Sequence, residues 1–546
     1  MHIILSKTPD GILLSSIDSA AEVTHRETVT PAALPAVVRE REHERPRWVW
    51  SHTALWYPPL LASGVTVERC VDLRLSHVIL RGSELTADSE IAQSAASGWD
   101  ESAAPLSDPG LFELEPSQEL EPVAEFQLQQ RAIAAAPAKL RLLLAAESAG
   151  ALIAAEMTFA GLPWDAEQHD RILAELLGPR PISGYRPAKL EAKLAEVRDA
   201  LGVTELNPDS PGELLKALRS AGLLVDSTRS WDLQRIDHPA IPPLLEFKKL
   251  SRLHSANGWH WLDSWVADGR FRPTYVPGGV VTGRWASDGG GALQLPHQVR
   301  DAVRADPGWK LVVADAAQLE PRILAAMSGD RAMAKAGRGV DLYAGMVASG
   351  AVETRDQAKV GMLGAMYGGT TGESGRVLPR LARAFPQAIG LVERAARAGE
   401  RGEMVSTWLG RSSPQPGPEW RLAQSDASTA DASAAAQSRA RSEARSWGRF
   451  TRNFVVQGTA AEWALSWMAG LRMRLRTLSP GRLTSGPHLV FFLHDEVIVH
   501  TPAELAADVA QAVEEAAHDA GRLLFGDIPV DFRVIVATVD SYADAK

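Results

Sequence analysis

Leu489–His500 reads LVFFLHDEVIVH, with two apolar runs flanking the charged triplet His494-Asp495-Glu496. The runs are rich in β-branched and aromatic residues, a pattern that predicts strand, tight turn, strand. Carboxylates stationed among such neighbours cost several kcal/mol unless a cation or hydrogen bonds compensate. A hairpin tip bearing paired acids therefore points to a divalent metal, with a solvated acidic turn as the plainer alternative.

A second carboxylate lies upstream. Trp309–Asp330 reads WKLVVADAAQLEPRILAAMSGD. Leu311–Ala314 is a short apolar run bounded by Gly308, which predicts a buried strand. Leu319, Ile323, Leu324 and Met327 then recur at helical spacing, so Asp315 falls at a strand-to-helix switch. A carboxylate there projects from the end of a sheet into a cleft. If the two strands are neighbours, Asp315 and Asp495 form a two-carboxylate platform. Mg²⁺ suits such a platform when substrate phosphates complete its octahedron. Spacing alone does not establish the adjacency.

Arg355–Gly369 reads RDQAKVGMLGAMYGG. Arg355, Lys359, Leu363 and Tyr367 follow at steps of four and share one face of a predicted helix. Two cations at one end suit a triphosphate, and an apolar and an aromatic residue at the other offer a surface to a base. Gly361 and Gly364 each cost about 1 kcal/mol relative to Ala in a helix. They predict close approach by another backbone or a ligand. An ordinary amphipathic helix with glycine packing is the alternative.

Together these segments resemble the family A DNA polymerases, of the DNA polymerase I type. Asp315-Ala316-Ala317-Gln318-Leu319-Glu320-Pro321-Arg322 looks like the family's first palm motif. Arg355 through Gly368 looks like its nucleotide-binding fingers helix, and His494-Asp495-Glu496 like its second palm carboxylate motif. Thr282-Gly283-Arg284 is similar to the segment that grips the primer–template minor groove. Arg449, Asn453 and Gln457 match the helix that touches the template and terminal base pair. The five motifs fall in the family's order from Thr282 to Glu496, and a weaker likeness runs from about Glu147 to the C-terminus.

The resemblance implies a multidomain α/β and α+β chain. An RNase H-like, exonuclease-type domain over residues 1–140 would precede a right-hand polymerase over residues 141–546. Its thumb would span about 150–270, its palm about 271–340 and 450–546, and its fingers about 341–449. It implies template-directed addition of deoxynucleotides to a primer 3′ end, in DNA replication or repair, with two Mg²⁺ ions or Mn²⁺ in their place. Asp315 and Asp495 would bind the metals, with Glu496 as an accessory acid. Arg355 and Lys359 would hold the triphosphate, and Lys359 would protonate the leaving group. Gln318, Glu320, Leu363, Tyr367, Gly368 and His494 would line the substrate site, with Glu320 as the gate beneath the sugar. Arg284, Arg449, Asn453 and Gln457 would contact DNA. The implied partners are primer–template DNA and deoxynucleoside triphosphates, acting on a monomer without a membrane. A DNA-binding structural factor with weakened catalysis is the competing reading.

The departures from the pattern are specific. Leu363 stands where the family usually carries an aromatic residue. WASDGGGALQLP after Arg284 replaces an Asn-rich pattern with three glycines, and Ala316 and Ala317 replace larger residues beside Asp315. None removes a metal ligand. Arg47–Leu80 carries the likeness to a proofreading domain, but its chemistry is missing. Such a site needs four carboxylates for two metals. MHIILSKTP lacks an Asp-x-Glu pair, Leu55 or Trp56 falls where an aspartate belongs, and Phe126–Ala138 lacks the tyrosine and aspartate. Asp72 remains, in a structural place. The N-terminal region therefore reads as catalytically silent.

Composition fits this reading. A chain of 546 residues has room for two to four domains. One cysteine, Cys70, excludes disulfide frameworks and cysteine zinc sites, and fits a reducing cytoplasm, here nucleoid-associated. The N-terminus lacks a basic flank and long apolar core, so no signal peptide is expected. Lys139, Arg141 and Glu147 interrupt the apolar stretch Ala132–Met157, which argues against a membrane span. A net charge of −10 disfavours nucleic acid only on average, since a locally basic groove suffices for phosphate contacts. Glu101–Pro122 is an acidic linker, and Lys248, Lys249 and Arg252 lie on a predicted helix over Pro239–Trp265. Ser425–Ser446 is a biased tract compatible with helix or loop.

Overall fold

The structure is a computed structural model that describes residues 1–101, 120–182, 184–339, 341–369 and 372–545. Most of the expected linker Glu101–Pro122 lies outside the described residues. The chain divides into two compact units. One comprises residues 1–160, 274–288 and 308–538; the other comprises 161–273, 289–307 and 539–546.

Among the described residues the first unit contains two sheets of four or five strands and the short antiparallel pair Thr274–Val276 with Ala286–Asp288. Near the N-terminus, His2–Thr8, Gly11–Ile17 and Val23–Val29 form an antiparallel meander, and Arg47–Trp50 and Cys70–Asp72 add in parallel beside the first strand. The parallel additions need crossovers, supplied by helices Leu34–Arg41 and Thr53–Ala62. Ile3, Leu5, Trp48, Trp50, Tyr57 and Leu60 pack on one face together with Leu152. Asp72 is fully buried and caps helix Leu73–Gly82, while its Oδ2 accepts from the Thr53 N–H and Oγ1, both at 2.7 Å. That is the structural place expected for it.

Leu152 belongs to Ala138–Ala160, the one helix among the described residues long and apolar enough to cross a membrane. Its apolar side chains Leu143, Leu152, Ile153 and Met157 are completely buried, and it packs against Thr53–Ala62 and the 45-residue helix Ala434–Leu478. Its acids have partners. Glu156 receives Arg472 Nε at 2.8 Å, Arg472 Nη2 at 2.6 Å and the Tyr57 hydroxyl at 2.6 Å. Arg472 also donates to the carbonyls of Val67 and Glu68 at 2.6 and 2.9 Å. Burial alone would raise the Glu156 carboxyl, but Arg472 and Tyr57 hold it below the usual range.

The second sheet of this unit has the order His488–Leu493, Glu496–Pro502, Trp309–Ala316, Val534–Val539. The predicted hairpin is present, with a bulge between Leu489 and Phe491. Its strands are buried along nearly their whole length because helices cover the sheet, including Ala506–Phe525 and Ala138–Ala160.

The second unit is mostly helical, with a three-stranded sheet of very short strands. Trp164, Trp261 and Phe271 cluster at its centre, with ring centroids 4.8–5.6 Å apart. The three-glycine stretch has a local reason here. Gly289 and Gly290 take φ of 76° and 64°, and a Cβ on Gly289 would fall on the Trp265 ring. The helix expected over Pro239–Trp265 is two, Ile241–Asn257 and Trp259–Trp265, broken at Gly258. Lys249 and Arg252 are exposed on the first of these and Lys248 is half-buried.

Removing one member of a buried, hydrogen-bonded pair leaves its partner uncompensated, a loss of about 3–5 kcal/mol. Arg472→Ala should therefore shift the denaturant midpoint of the first unit sharply downward. Glu156→Leu combined with Arg472→Met should recover part of that loss in the same titration.

Candidate active site

Pairing between Trp309–Ala316 and Glu496–Pro502 sets Asp315 directly opposite Glu496. Directly opposed residues share a face of the sheet. The hairpin tip beside them turns through His494, whose φ is 59°, and the Ala316 N–H donates to the Asp495 carbonyl at 2.9 Å. The two aspartates expected to cooperate are therefore neighbours. Glu496 is buried and His494 is exposed.

The electrostatics match that closeness. The Asp495 carboxyl is pushed up to about 7, first by burial and then by the charge of Asp315. Glu496 adds to the shift and Arg284 opposes it. The charge at this end of the sheet is thus undercompensated, a setting that favours a divalent cation. Among the described residues no cluster of three or more His, Cys, Asp or Glu side chains is arranged to hold a metal. Two carboxylates completed by ligand oxygens suit Mg²⁺, which keeps few protein ligands.

Helix Arg355–Tyr367 carries the predicted stripe. Thr354 caps it by accepting the Gln357 N–H, and Gly368 ends it with φ of 78°. Arg355, Lys359, Leu363 and Tyr367 are all exposed, the last two by 37% and 41%. The glycines inside it answer to a neighbouring helix. A Cβ on Gly361 would lie 2.7 Å from Leu381 Cδ1, and one on Gly364 would run into Ser374, both on Gly372–Ala384. Gly368 lies equally close to the exposed Arg449, 2.6 Å from its Cγ by the same measure.

Glu320 links three motifs. Its carboxylate is ion-paired with Arg284 and accepts the Tyr367 hydroxyl at 2.7 Å. Partial loss of solvent around its hydroxyl and this contact together raise the Tyr367 phenol. Arg322, two residues from Glu320 in sequence, does not pair with it; it is buried and donates to the carbonyls of Ala317, Gly337 and Asp531. Gln457 accepts from Thr282 Oγ1 at 3.0 Å, and the Oδ1 of Asn453 is buried with no hydrogen-bond partner among the described residues. Partial loss of solvent around its ring, and then the charge of Arg284, lower the pKa of His494. Leu363 and Lys359 share the helix face but not this clasp.

At the other end of that face Arg355 is held by Asp341, Nη2 to Oδ2 at 2.9 Å. Gln318, in a left-handed conformation with φ of 49°, donates to Asp341 Oδ2 at 3.0 Å and accepts the Leu342 N–H at 3.2 Å. Its polar ends are thus engaged with protein groups.

A family model described as DNA polymerase family A matches residues 186–544. The chain belongs to DNA polymerase family A. Among similar proteins are the thermostable DNA polymerase I of Thermus filiformis and the DNA polymerase I of Chloroflexus aurantiacus. The first is 26% identical over 328 residues, covering 54% of this chain and 36% of that protein. The second is 25% identical over 372 residues, covering 62% and 36%. The chain thus spans just over a third of the length of these relatives. A solved structure of the POL domain of Pol1 from M. smegmatis, in complex with DNA primer-template and dNTP, has the same fold. It matches at a TM-score of 0.67 and 20% identity, over 100% of this chain and 95% of that one.

Several residues that shape this family A site escape sequence reading. Gly283, with φ of 85°, presses against Arg411, and Arg411 is ion-paired with the buried Glu147. Beneath them Glu462 accepts the Thr407 hydroxyl and the Leu409 N–H, and burial pushes its carboxyl up to about 7. Glu147 was visible as a charge in an apolar helix, but nothing marked Arg411 or Asp341 as partners.

A carboxyl whose folded pKa exceeds its unfolded value costs stability as pH rises from about 4 through 7, after which the loss levels off. Asp495→Asn removes that titration. Without divalent ions its melting temperature should match wild type near pH 4 and exceed it near pH 8. A gap independent of pH would contradict the electrostatics described.

Proposed function

We propose that the chain is a DNA-directed DNA polymerase that extends a primer 3′ end by nucleotidyl transfer, in replication or repair. The observation that carries this reading is the meeting of Asp315 and Asp495 at one sheet end. A clasp from Glu320 ties the same region to the exposed fingers-type helix and to the loop bearing Arg284. Residues 1–140 are read as a silent proofreading-type domain, 150–270 as thumb, 271–340 with 450–546 as palm, and 341–449 as fingers.

Asp315 and Asp495 would hold divalent cations, Mg²⁺ or Mn²⁺, which supply activation of the primer hydroxyl and neutralisation of the triphosphate. Arg355 and Lys359 grip the phosphates. The primer 3′ hydroxyl gives its proton to water and its oxygen bonds to the α-phosphorus as the bond to the pyrophosphate oxygen breaks, and Lys359 donates a proton to that leaving oxygen. Tyr367 and Gly368 border the place where template base and nucleotide meet, with Leu363 offering less stacking than an aromatic would. Arg284 and Gln457 donate to minor-groove acceptors common to all correct pairs, so they check pair shape. Arg449 and Asn453 contact the template, and His494 the primer end.

Primer extension with all four deoxynucleotides and Mg²⁺ tests this reading. Wild type should extend, and Asp315→Ala or Asp495→Ala should lower the rate by several orders of magnitude. A mismatched, end-labelled primer without nucleotides should stay intact. Wild type that binds primer–template but never extends it would favour the structural-factor reading.

Glu320 offers a second test. Held by Arg284 and Tyr367, it would occupy the space a 2′-hydroxyl needs. Glu320→Ala should raise the ratio of kcat/KM for a matched ribonucleotide over its deoxynucleotide by at least about tenfold, more than 1.4 kcal/mol of discrimination. An unchanged ratio, with both activities lowered together, would reduce Glu320 to a structural pair.

A further inference from the structure

Asp341 lies outside all five motifs, yet donors from three segments converge on it. Arg355 makes a two-point contact, Nη2 to Oδ2 at 2.9 Å and Nε to Oδ1 at 3.3 Å. Gln318 Nε2 donates to Oδ2 at 3.0 Å, and the Ala344 N–H donates to Oδ1 at 2.8 Å, capping helix Leu342–Ala348. The Arg355 guanidinium also lies over the Tyr343 ring, 5.6 Å from its centroid. Lys359, one turn further along the stripe, is exposed and has no ion-pair partner among the described residues. The two cations assigned to the phosphates thus differ. One is bound to a carboxylate and the other is not.

A forked guanidinium suits carboxylate and phosphate equally, because both present paired oxygens at matching spacing. We propose that Asp341 is a positioning residue of the triphosphate site, competing with the nucleotide phosphates for Arg355 and thereby tempering their affinity. This rests on the reading of Arg355 as a phosphate ligand. Gln318 gives the arrangement a second function. It sits three residues beyond Asp315, so the segment that presents a catalytic carboxylate also braces the acid that competes for Arg355. When Arg355 turns to phosphate, Asp341 keeps the Gln318 bond and its helix cap, so the exchange costs no local structure. The competition is mild, because Arg355 is half-exposed and such pairs are weak.

Asp341→Asn separates the parts. Asn caps a helix as well as Asp does through its single amide oxygen, but it carries no charge for Arg355 and lacks the second oxygen that accepts from Gln318. Asp341→Ser, which also caps, guards against a folding defect peculiar to one variant. The measurement is the dissociation constant of the next correct deoxynucleoside triphosphate. It is taken on the full chain with dideoxy-terminated primer–template and Mg²⁺, alongside single-turnover rates. Asp341→Asn should tighten binding by about two- to fivefold while leaving the maximal rate within about twofold. In an Arg355→Ala background the same change should do nothing. Binding that is unchanged or weaker in Asp341→Asn, while Arg355→Ala weakens it, would overturn the role of Asp341 alone. A shift of equal size in the Arg355→Ala background would do the same. Arg355→Ala binding as tightly as wild type would overturn the phosphate site and this proposal with it.

Discussion

The antiparallel pairing of Trp309–Ala316 with Glu496–Pro502 is the constraint on which the site depends. It brings Asp315 beside the His494-Asp495 turn, far away in the chain, and a one-residue slip would turn every side chain of one strand to the other face. Buried apolar residues fix the register, with Leu311 to Ala314 on one strand and Val497 to Val499 on the other. The hydrogen bond from the Ala316 N–H to the Asp495 carbonyl closes the arrangement at its tip. Burial among these strands also raises the Asp495 carboxyl, so the packing that fixes the geometry creates the demand for a cation.

A second theme is the pairing of arginines with acids. Arg284 is held by Glu320, Arg355 by Asp341 and Arg411 by Glu147. An overall charge of −10 is therefore compatible with a site that receives phosphates, because the relevant arginines are already oriented by local carboxylates. Of the three, only the exposed Arg355–Asp341 pair is of the kind that contributes little to stability. Their consequence is orientation, since the Arg284–Glu320–Tyr367 clasp joins three motifs that are separate in sequence.

Much of this was legible because it was written in local patterns. The LVFFL and VIVH runs read as strands around an acidic turn, and the four-residue steps from Arg355 to Tyr367 read as one helix face. Gly361 and Gly364 signalled a close approach, and the approaching partner is the helix carrying Ser374, Val377 and Leu381. What stayed hidden required partners from distant segments. Asp341 looks like an ordinary cap and Arg411 like a loop cation, and Glu320 stood nearer in sequence to Arg322 than to Arg284. The biased tract Ser425–Ser446 proved largely helical, ending Pro418–Ser428 and opening Ala434–Leu478, because alanine-rich sequence propagates a helix once tertiary packing anchors its far end.

The most direct test of the account is the location of Mn²⁺ by anomalous diffraction, in crystals of the chain with primer–template DNA and a matched deoxynucleoside triphosphate. Two anomalous peaks within bonding distance of carboxylate oxygens from both Asp315 and Asp495 are expected, bridging to the triphosphate. Peaks that touch the triphosphate but neither aspartate, or that lie elsewhere on the chain, would contradict the two-carboxylate platform.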